Sequence, residues 1–282
     1  MNEESKISVF GSSGFIGSRF CELNSDTLRI SRSSTSPESD NILYLISTVD
    51  NYNVFSDPHL DIQTNLVHLM KVLEDCKNRK NLVFNFVSSW FVYGKTNDLP
   101  AKEESFCNPT GFYSITKRTA EQLIISYCET FGIKYRILRL CNVYGSGDSK
   151  TSRKKNAMQH LVTEVVNDRD VNLYNGGQNI RDFMHVDDVC RAIKLSIEKS
   201  SHGETINIGS GIPQSILDVI TYAKEKTNSK SVINFIDPPD FHKIVQIENM
   251  YLDTSKLRAL GFQQEISIYQ GIDMIIKNEK RL

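Results

Sequence analysis

The chain has 282 residues, of which 39% are hydrophobic and 24% charged, and its formal net charge is −1. That length buries a substantial core, as one large α/β domain or as a domain with a smaller appendage, and the composition excludes a disordered chain. Balanced charge leaves no cationic excess to neutralise a phosphate backbone, so nucleic acid is not an expected partner.

The polar N-terminus, Met1 to Lys6, runs into a short apolar strand, Ile7-Ser8-Val9-Phe10, which stops at a glycine cluster. A helical pattern follows from Phe15 to about Leu23. Further strands are read at Leu28–Ile30, Ile42–Ile46, Leu82–Val87 and Tyr135–Leu140, with helices at Leu60–Cys76 and Ser114–Thr130. Continuous apolar strands alternating with amphipathic helices predict a Rossmann-type, doubly wound α/β fold. Its parallel sheet is covered on both faces, and its ligand lies at the carboxyl ends of the strands. Only about ten residues, Arg32 to Asn41, separate the second strand from the next. A helical crossover does not fit there, so a Ser-, Pro- and Asp-rich loop is expected to replace the helix, and one strand of the sheet can go with it.

After Gly145 the pattern loosens into a polar, basic loop, Ser146 to Asn156, where a second lobe is expected to begin. A helix follows it, then a strand at Val171–Tyr174, a turn at Asn175–Gly177, a helix at Val186–Lys199 and a strand at Thr205–Ile208. The last third carries a helix near Ser215–Lys226, a strand near Val232–Ile236 and a C-terminal helix from Ile268. Cys21, Cys76, Cys107, Cys128, Cys141 and Cys190 are scattered, with no CxxC pair and no histidines at zinc-ligand spacing, so they read as reduced, mostly buried thiols and no metal site is expected. No stretch approaches a membrane span, and a cytoplasmic enzyme is the default.

The first chemical motif is Gly11-Ser12-Ser13-Gly14-Phe15-Ile16-Gly17, between the first strand and the first helix. Gly11, Gly14 and Gly17 would serve the tight turn, the approach of a pyrophosphate to backbone N–H groups, and close packing of the helix headed by Phe15 and Ile16 on the sheet. Glycine clusters are often ordinary turns, but the strand before and the helix after point to NAD(P). The second strand ends in Ser31-Arg32-Ser33-Ser34, where an NAD-selective site offers an acid. Arg32 could bind a 2′-phosphate, which favours NADP(H), or it is a solvated arginine in a shortened loop.

The second motif is Tyr113-Ser114-Ile115-Thr116-Lys117. Its spacing puts Tyr113 and Lys117 on one helical face, where an ammonium beside a phenol is expected to lower the phenol's pKa toward the range useful for acid/base catalysis. Upstream, the strand end Ser88-Ser89-Trp90-Phe91-Val92-Tyr93-Gly94 offers a hydroxyl to a substrate oxygen. Read without further context, YxxxK also fits an amphipathic helix with a surface lysine.

Taken together with RLCNVYG at Arg139 to Gly145 and RDFMHVDDV at Arg181 to Val189, these motifs resemble the NAD-dependent epimerase/dehydratase family, extended short-chain dehydrogenases that modify nucleotide sugars. The resemblance covers nearly the whole chain. It implies that Tyr113 is the catalytic acid/base, that Lys117 tunes it and holds the nicotinamide ribose, and that Ser89 completes the triad. It also implies that Asn142 and Arg181 contact substrate phosphates, that Trp90 faces the sugar, and that the protein is a homodimer formed by the helix carrying Tyr113 and the helix around Leu60–Cys76. Residues 1–148, with 178–208 returning to them, would form the NAD(P)-binding domain, and 149–177 with 209–282 the substrate-binding lobe.

Apart from the family, Arg181-Asp182 could be a structural ion pair, although a diphosphate needs a cation in the second lobe. Asp187 and Asp188 read as residues favourable to a helix N-terminus, and His185 as structural. Arg153, Lys154 and Lys155 either help hold a diphosphate or are simply solvated.

Dehydratases of the family carry an Asp-Glu pair directly after the catalytic hydroxyl residue; here Trp90 and Phe91 stand in those places and cannot transfer such a proton. Two reactions remain, reduction of a 4-keto sugar nucleotide and epimerisation at C4 through a keto intermediate. Arg32 and the shortened loop favour an exchangeable cofactor and the reductase. A non-catalytic NAD(P)-binding protein is the alternative from another class, and the presence of Ser89, Tyr113 and Lys117 argues against it.

Overall fold

The computed structural model describes residues 6–148 and 156–279. β1 (Ile7–Phe10) is buried throughout and feeds α1 (Phe15–Leu23). β2 (Thr27–Arg29) pairs with one edge of β1 and β3 (Asn41–Tyr44) with the other. A 3₁₀ turn (Asn51–Phe55), then α2 (Leu60–Ile62), a π turn (Gln63–Val67) and α3 (His68–Cys76) lead to β4 (Val83–Ser89). α4 (Phe112–Phe131) crosses to β5 (Lys134–Leu140). The chain then leaves the sheet through β6 (Asn142–Tyr144), α5 (Ala157–Val166), β7 (Val171–Tyr174), β8 (Ile180–Arg181) and β9 (Phe183–His185). It returns through α6 (Val186–Lys199) and β10 (Glu204–Ile208). β11 (Gln214–Ser215), α7 (Ile216–Thr227), β12 (Ile233–Ile236), α8 (Asp240–Val245), α9 (Ser255–Ala259) and α10 (Ile268–Glu279) complete it.

The main sheet has six strands in the order β10-β5-β4-β3-β1-β2, every pair parallel, which is the doubly wound α/β architecture expected from the sequence. The order reverses at β1, so the carboxyl ends of β1 and β3 flank a crevice. The segment after β2 is indeed a loop, and among the described residues no strand lies beyond β2. The loop is built rather than slack. Ser8 Oγ accepts from the Glu38 and Ser39 amides at 3.0 and 2.8 Å, Arg79 donates to the Pro37 carbonyl at 2.7 Å, and Thr35 and Ser36 each donate to Asp75 at 2.7 Å.

Period-two alternation divides the strand residues between two cores. On one face Phe10, Tyr44, Phe84 and Phe86 pack with α3 and α4, with Tyr44 lying 5.6 to 6.1 Å from each of the other rings. On the other, Val9, Leu43, Val87 and Leu138 pack with α6. A third core joins α5, α7 and α10 to β7. All six cysteines are free thiols; Cys76, Cys128, Cys141 and Cys190 are buried, Cys21 and Cys107 partly so. Among the described residues no helix is long and apolar enough to cross a membrane.

Candidate active site

The glycine loop closes tightly on itself. Gly14 N donates to Gly11 O at 3.0 Å, and Gly11 takes φ +83°. A Cβ on Gly17 would stand 2.2 Å from Gly11 O, so α1 packs directly on the turn. Gly14 is the N-cap of α1 and supplies no side-chain cap, which leaves the first-turn amides of Phe15 and Ile16 without intrahelical acceptors. Free amides at the positive end of a helix, approached through backbone that no side chain obstructs, fit the pyrophosphate of a dinucleotide. Arg29, on β2, reaches the loop and donates to Ser12 O at 2.9 Å. Arg32 is exposed in the loop beyond it.

Ser88 and Ser89, at the end of β4, point to opposite faces, as adjacent strand residues must. Ser88 donates to Glu121 at 2.6 Å, inside a buried network in which Glu121 also receives Arg139 at 2.8 Å and Arg118 at 2.7 Å. These partners hold the Glu121 carboxyl below the usual carboxylate range even though burial, the largest influence on it, pushes it up. Ser89 instead faces Tyr113, in the first turn of α4, and both are at least nine-tenths buried. Lys117 lies one turn further on, 2% exposed.

Burial pushes the Tyr113 phenol up to about 12, the charge of Asp61 adds to this, and hydrogen bonds with Ser89 and Ser47 offset it only in part. Burial also pulls Lys117 down to about 7. The expectation that Lys117 lowers the phenol's pKa is therefore corrected for this structure. Lys117 Nζ donates to the Val87 carbonyl at 2.6 Å and lies 4.1 Å from the centre of the Phe86 ring, so its charge is not directed at the phenol and desolvation governs both groups.

Asn65, which the sequence reading passed over, ties this corner together. It lies in the π turn, 3% exposed, accepts from Ser47 Oγ and Thr48 N at 3.0 and 2.9 Å, and donates to Thr48 Oγ1 and Thr116 Oγ1 at 2.8 and 2.9 Å. The carboxyl end of β3 is thereby fastened to the helix that carries Tyr113 and Lys117. π turns recur at functional sites, but they have no sequence signature that would have disclosed this one.

Across the crevice, Arg181 does not pair with Asp182. Its guanidinium donates to the carbonyls of Ile180, Glu248 and Ile247 at 2.7, 2.8 and 2.6 Å and lies 5.4 Å from the Trp90 ring centre, and burial lowers its pKa to about 10. Its contacts are with neutral groups, so its charge remains to attract an anion. Asp182 accepts from Ser210 N, Ser210 Oγ and Gly211 N at 2.9, 2.6 and 3.0 Å, and its carbonyl receives Asn142 N and Nδ2 at 3.0 and 3.1 Å. The structural ion-pair reading of Arg181-Asp182 is thus replaced by a turn in which Asp182 holds the 210–211 backbone and Asn142 while Arg181 reaches the carbonyls of Ile180, Ile247 and Glu248. Trp90 is 3% exposed, stacked on Phe91 at 3.9 Å, and so supports Arg181 from beneath rather than lining an open wall.

His185 caps α6 by accepting from Asp187 N, and Asp187 and Asp188 lie in that helix's first turn. Asp187 also forms a two-point ion pair with Arg19 of α1, at 2.6 and 2.9 Å. Arg153, Lys154 and Lys155 lie outside the described residues.

Residues 33–209 match the family described as NAD dependent epimerase/dehydratase. The chain is 30% identical over 224 residues to the uncharacterized UDP-glucose epimerase YtcB of Bacillus subtilis, covering 73% of this chain and 68% of that protein. It is 28% identical over 188 residues to the dTDP-4-dehydro-6-deoxyglucose reductase of Escherichia coli, covering 66% and 58%. The structure of RMD from Pseudomonas aeruginosa complexed with NADPH superposes with a TM-score of 0.87 at 22% identity, covering 99% of this chain and 100% of that one.

Proposed function

Because the chain belongs to the NAD dependent epimerase/dehydratase family, we propose that it reduces a 4-keto sugar nucleotide with NADP(H) and releases the oxidised cofactor after each turnover. When bound, the nicotinamide supplies the hydride. Tyr113 donates its proton to the sugar carbonyl oxygen, Ser89 hydrogen-bonds that oxygen, and Lys117 holds the nicotinamide ribose. Gly11, Gly14 and Gly17, with the amides of Phe15 and Ile16, hold the cofactor pyrophosphate, and Arg32 takes the 2′-phosphate. Arg181 and Asn142 hold the substrate diphosphate, with Trp90 supporting the arginine beside the sugar.

The observation that supports this reading is the placement of Ser89, at the end of β4, and Tyr113, in the first turn of α4, buried together at the carboxyl end of the sheet; burial raises the phenol, so it holds its proton until a substrate oxygen takes it. Trp90 and Phe91, neither able to exchange a proton, argue against elimination of water from the sugar. A second reading, a 4-epimerase that retains its cofactor, draws on the 30% identity to YtcB.

In this account residues 1–148 with 178–208 form the cofactor domain, and 149–177 with 209–282 the substrate lobe. Leu60, Ile62, Val67, Phe112 and Ile115 are exposed apolar residues on the helices that precede and carry Tyr113, which supports a homodimer through that face. Six free thiols agree with a cytoplasmic protein. The test is to denature the purified protein, identify any released nicotinamide by mass spectrometry, and assay a panel of sugar nucleotides for NAD(P)H consumption. Net NADPH oxidation with a 4-keto sugar nucleotide supports the reductase. Tightly retained NAD with isomerisation and no net oxidation supports the epimerase and refutes the reductase.

A further inference from the structure

α8 spans the crevice, from the turn that follows β3 on one side to β7 and β8 on the other. Its His242 ring lies 4.7 Å from the ring of Tyr174, at the end of β7, and His242 Nδ1 pairs at 3.0 Å with the hydroxyl of Tyr52, in the 3₁₀ turn after β3. Phe241 meets Tyr52 and Phe55 of the same turn edge-on, at 5.0 and 4.6 Å between ring centres. The carbonyls of Lys243 and Ile244, in the last turn of α8 where orphan acceptors are expected, receive Lys95 Nζ and Thr110 Oγ1, each at 3.3 Å. Just beyond the helix, the carbonyls of Ile247 and Glu248 receive the Arg181 guanidinium at 2.6 and 2.8 Å.

This strap is fastened unevenly. Its C-terminal end is fixed, because Met250 N donates to the Ile180 carbonyl and Asn249 Oδ1 accepts from the Ile180 amide, both at 3.0 Å, while Met250 and Leu252 are each 1% exposed. Ahead of α8, Pro238 and Pro239 have no amides with which to extend the pairing of β12. Over the crevice the strap buries little. Val245 is buried, but Phe55 and Ile244 are 69% and 61% exposed, and the bonds from Lys95 and Thr110 face solvent. Segments with few buried apolar contacts and exposed hydrogen bonds are the ones that open at low free-energy cost.

Both terminal nitrogens of Arg181 thus donate to a weakly held strap. A phosphate offers the same fork a full negative charge and two acceptors in its plane, and so competes well against neutral carbonyls. We propose that residues 237–248 form a gate over the crevice, latched by the Tyr52–His242 pair and by Arg181, and that a diphosphate releases it by drawing Arg181 off the Ile247 and Glu248 carbonyls. The proposal rests on the reading of Arg181 as the cation for the substrate diphosphate. Strap and diphosphate share one guanidinium, so the anionic end of the ligand controls access to the crevice.

Hydrogen exchange read by mass spectrometry tests this without turnover, with inorganic pyrophosphate as the probe at constant ionic strength. The reporters are the amides of Lys243 and Gln246, bonded within the strap to the Pro239 and His242 carbonyls. Pyrophosphate should speed their exchange about tenfold or more, since two hydrogen bonds to a charged group are lost. Unchanged or slowed exchange overturns the proposal. Arg181→Ala should speed exchange of the same amides by itself and abolish the response to pyrophosphate; a response that persists is equally fatal. Tyr52→Phe keeps the ring and loses the hydroxyl, so it tests the latch even if Arg181→Ala does not fold. It should speed exchange about two- to tenfold and retain the pyrophosphate response, whereas exchange at the wild-type rate contradicts the latch. Release by pyrophosphate in a protein that turns over no sugar nucleotide supports the gate and removes the reaction proposed above. Turnover with a strap that pyrophosphate leaves in place does the reverse.

Discussion

Replacing Gly17 by alanine strikes the point where helix and cofactor loop meet. The new Cβ would stand 2.2 Å from Gly11 O, where ordinary contact begins at 3.4 Å, so the turn and α1 must separate by about 1.2 Å. Gly11 C at 2.9 Å and Ser12 Cα at 3.0 Å are backbone as well, so no side-chain rotation relieves the clash. Overpacking of this kind costs about 1–3 kcal/mol, a fall in Tm of roughly 3–10 °C for a chain of this size. The same displacement moves the amides of Phe15 and Ile16 off the pyrophosphate. Losing one hydrogen bond to a charged group costs about 1.5–3 kcal/mol, or roughly ten- to hundredfold in Kd. Gly132→Ala is the control. Gly132 has φ +69° at the end of α4 with nothing within 4 Å of its Cβ position, so alanine costs about 1 kcal/mol of backbone strain there and no affinity. Calorimetric titration with NADPH, alongside thermal melts, separates the two effects. If Gly17→Ala lowered Tm yet bound NADPH as tightly as wild type, the loop would not be the cofactor cradle.

Lys117→Met should abolish turnover and yet stabilise the protein at pH 6, as read by Tm. Burial lowers Lys117 from 10.5 to about 7, so between those values the unfolded chain binds a proton that the folded chain lacks, and wild-type stability rises with pH across that window. The gap between variant and wild type should accordingly shrink from pH 7 to 10; a constant gap would contradict the assignment. Glu121→Gln leaves Arg139 facing a neutral partner in the core and should cost about 3–5 kcal/mol by urea denaturation. The folded Glu121 pKa is depressed, so wild type should lose this advantage as pH falls through it, and melts at acid pH should converge. Arg181→Ala should raise KM for a sugar nucleotide about tenfold to a hundredfold with NADPH affinity unchanged, and Arg181→Lys should restore only part because the two-point fork is lost. Steady-state kinetics with cofactor titration checks both halves.

The doubly wound sheet was legible because buried parallel strands leave unbroken apolar runs and the glycine loop has fixed spacing. The short segment after β2 was legible by length alone, since ten residues cannot make a helical crossover. The smaller elements were not. β8 and β11 have two residues each, too few for any period, and form only because Ile180–Arg181 and Gln214–Ser215 are brought together by the rest of the lobe. Within the site, the sequence proposed Ser89, Tyr113, Lys117 and Arg181 from local motifs. It missed Arg29, whose contact with Ser12 spans the distance from β2 to the glycine loop, and Asn65, whose four hydrogen bonds join three residues of two other segments. It also gave the phenol's pKa the wrong sign, because spacing on a helix places Lys117 near Tyr113 but does not say where the ammonium points. That depends on Val87 and Phe86 beneath it.

Carbonyl reduction with proton delivery by Tyr113 is open to labelling of the hydride. Its most direct test is to incubate the protein with 4-deuterated NADPH and a 4-keto sugar nucleotide and to follow the label by mass spectrometry. One deuterium should appear at the sugar C4 per NADPH oxidised, with the transfer lost in Tyr113→Phe. Transfer undiminished in Tyr113→Phe, or sugar isomerisation with no deuterium entering the product, would contradict it.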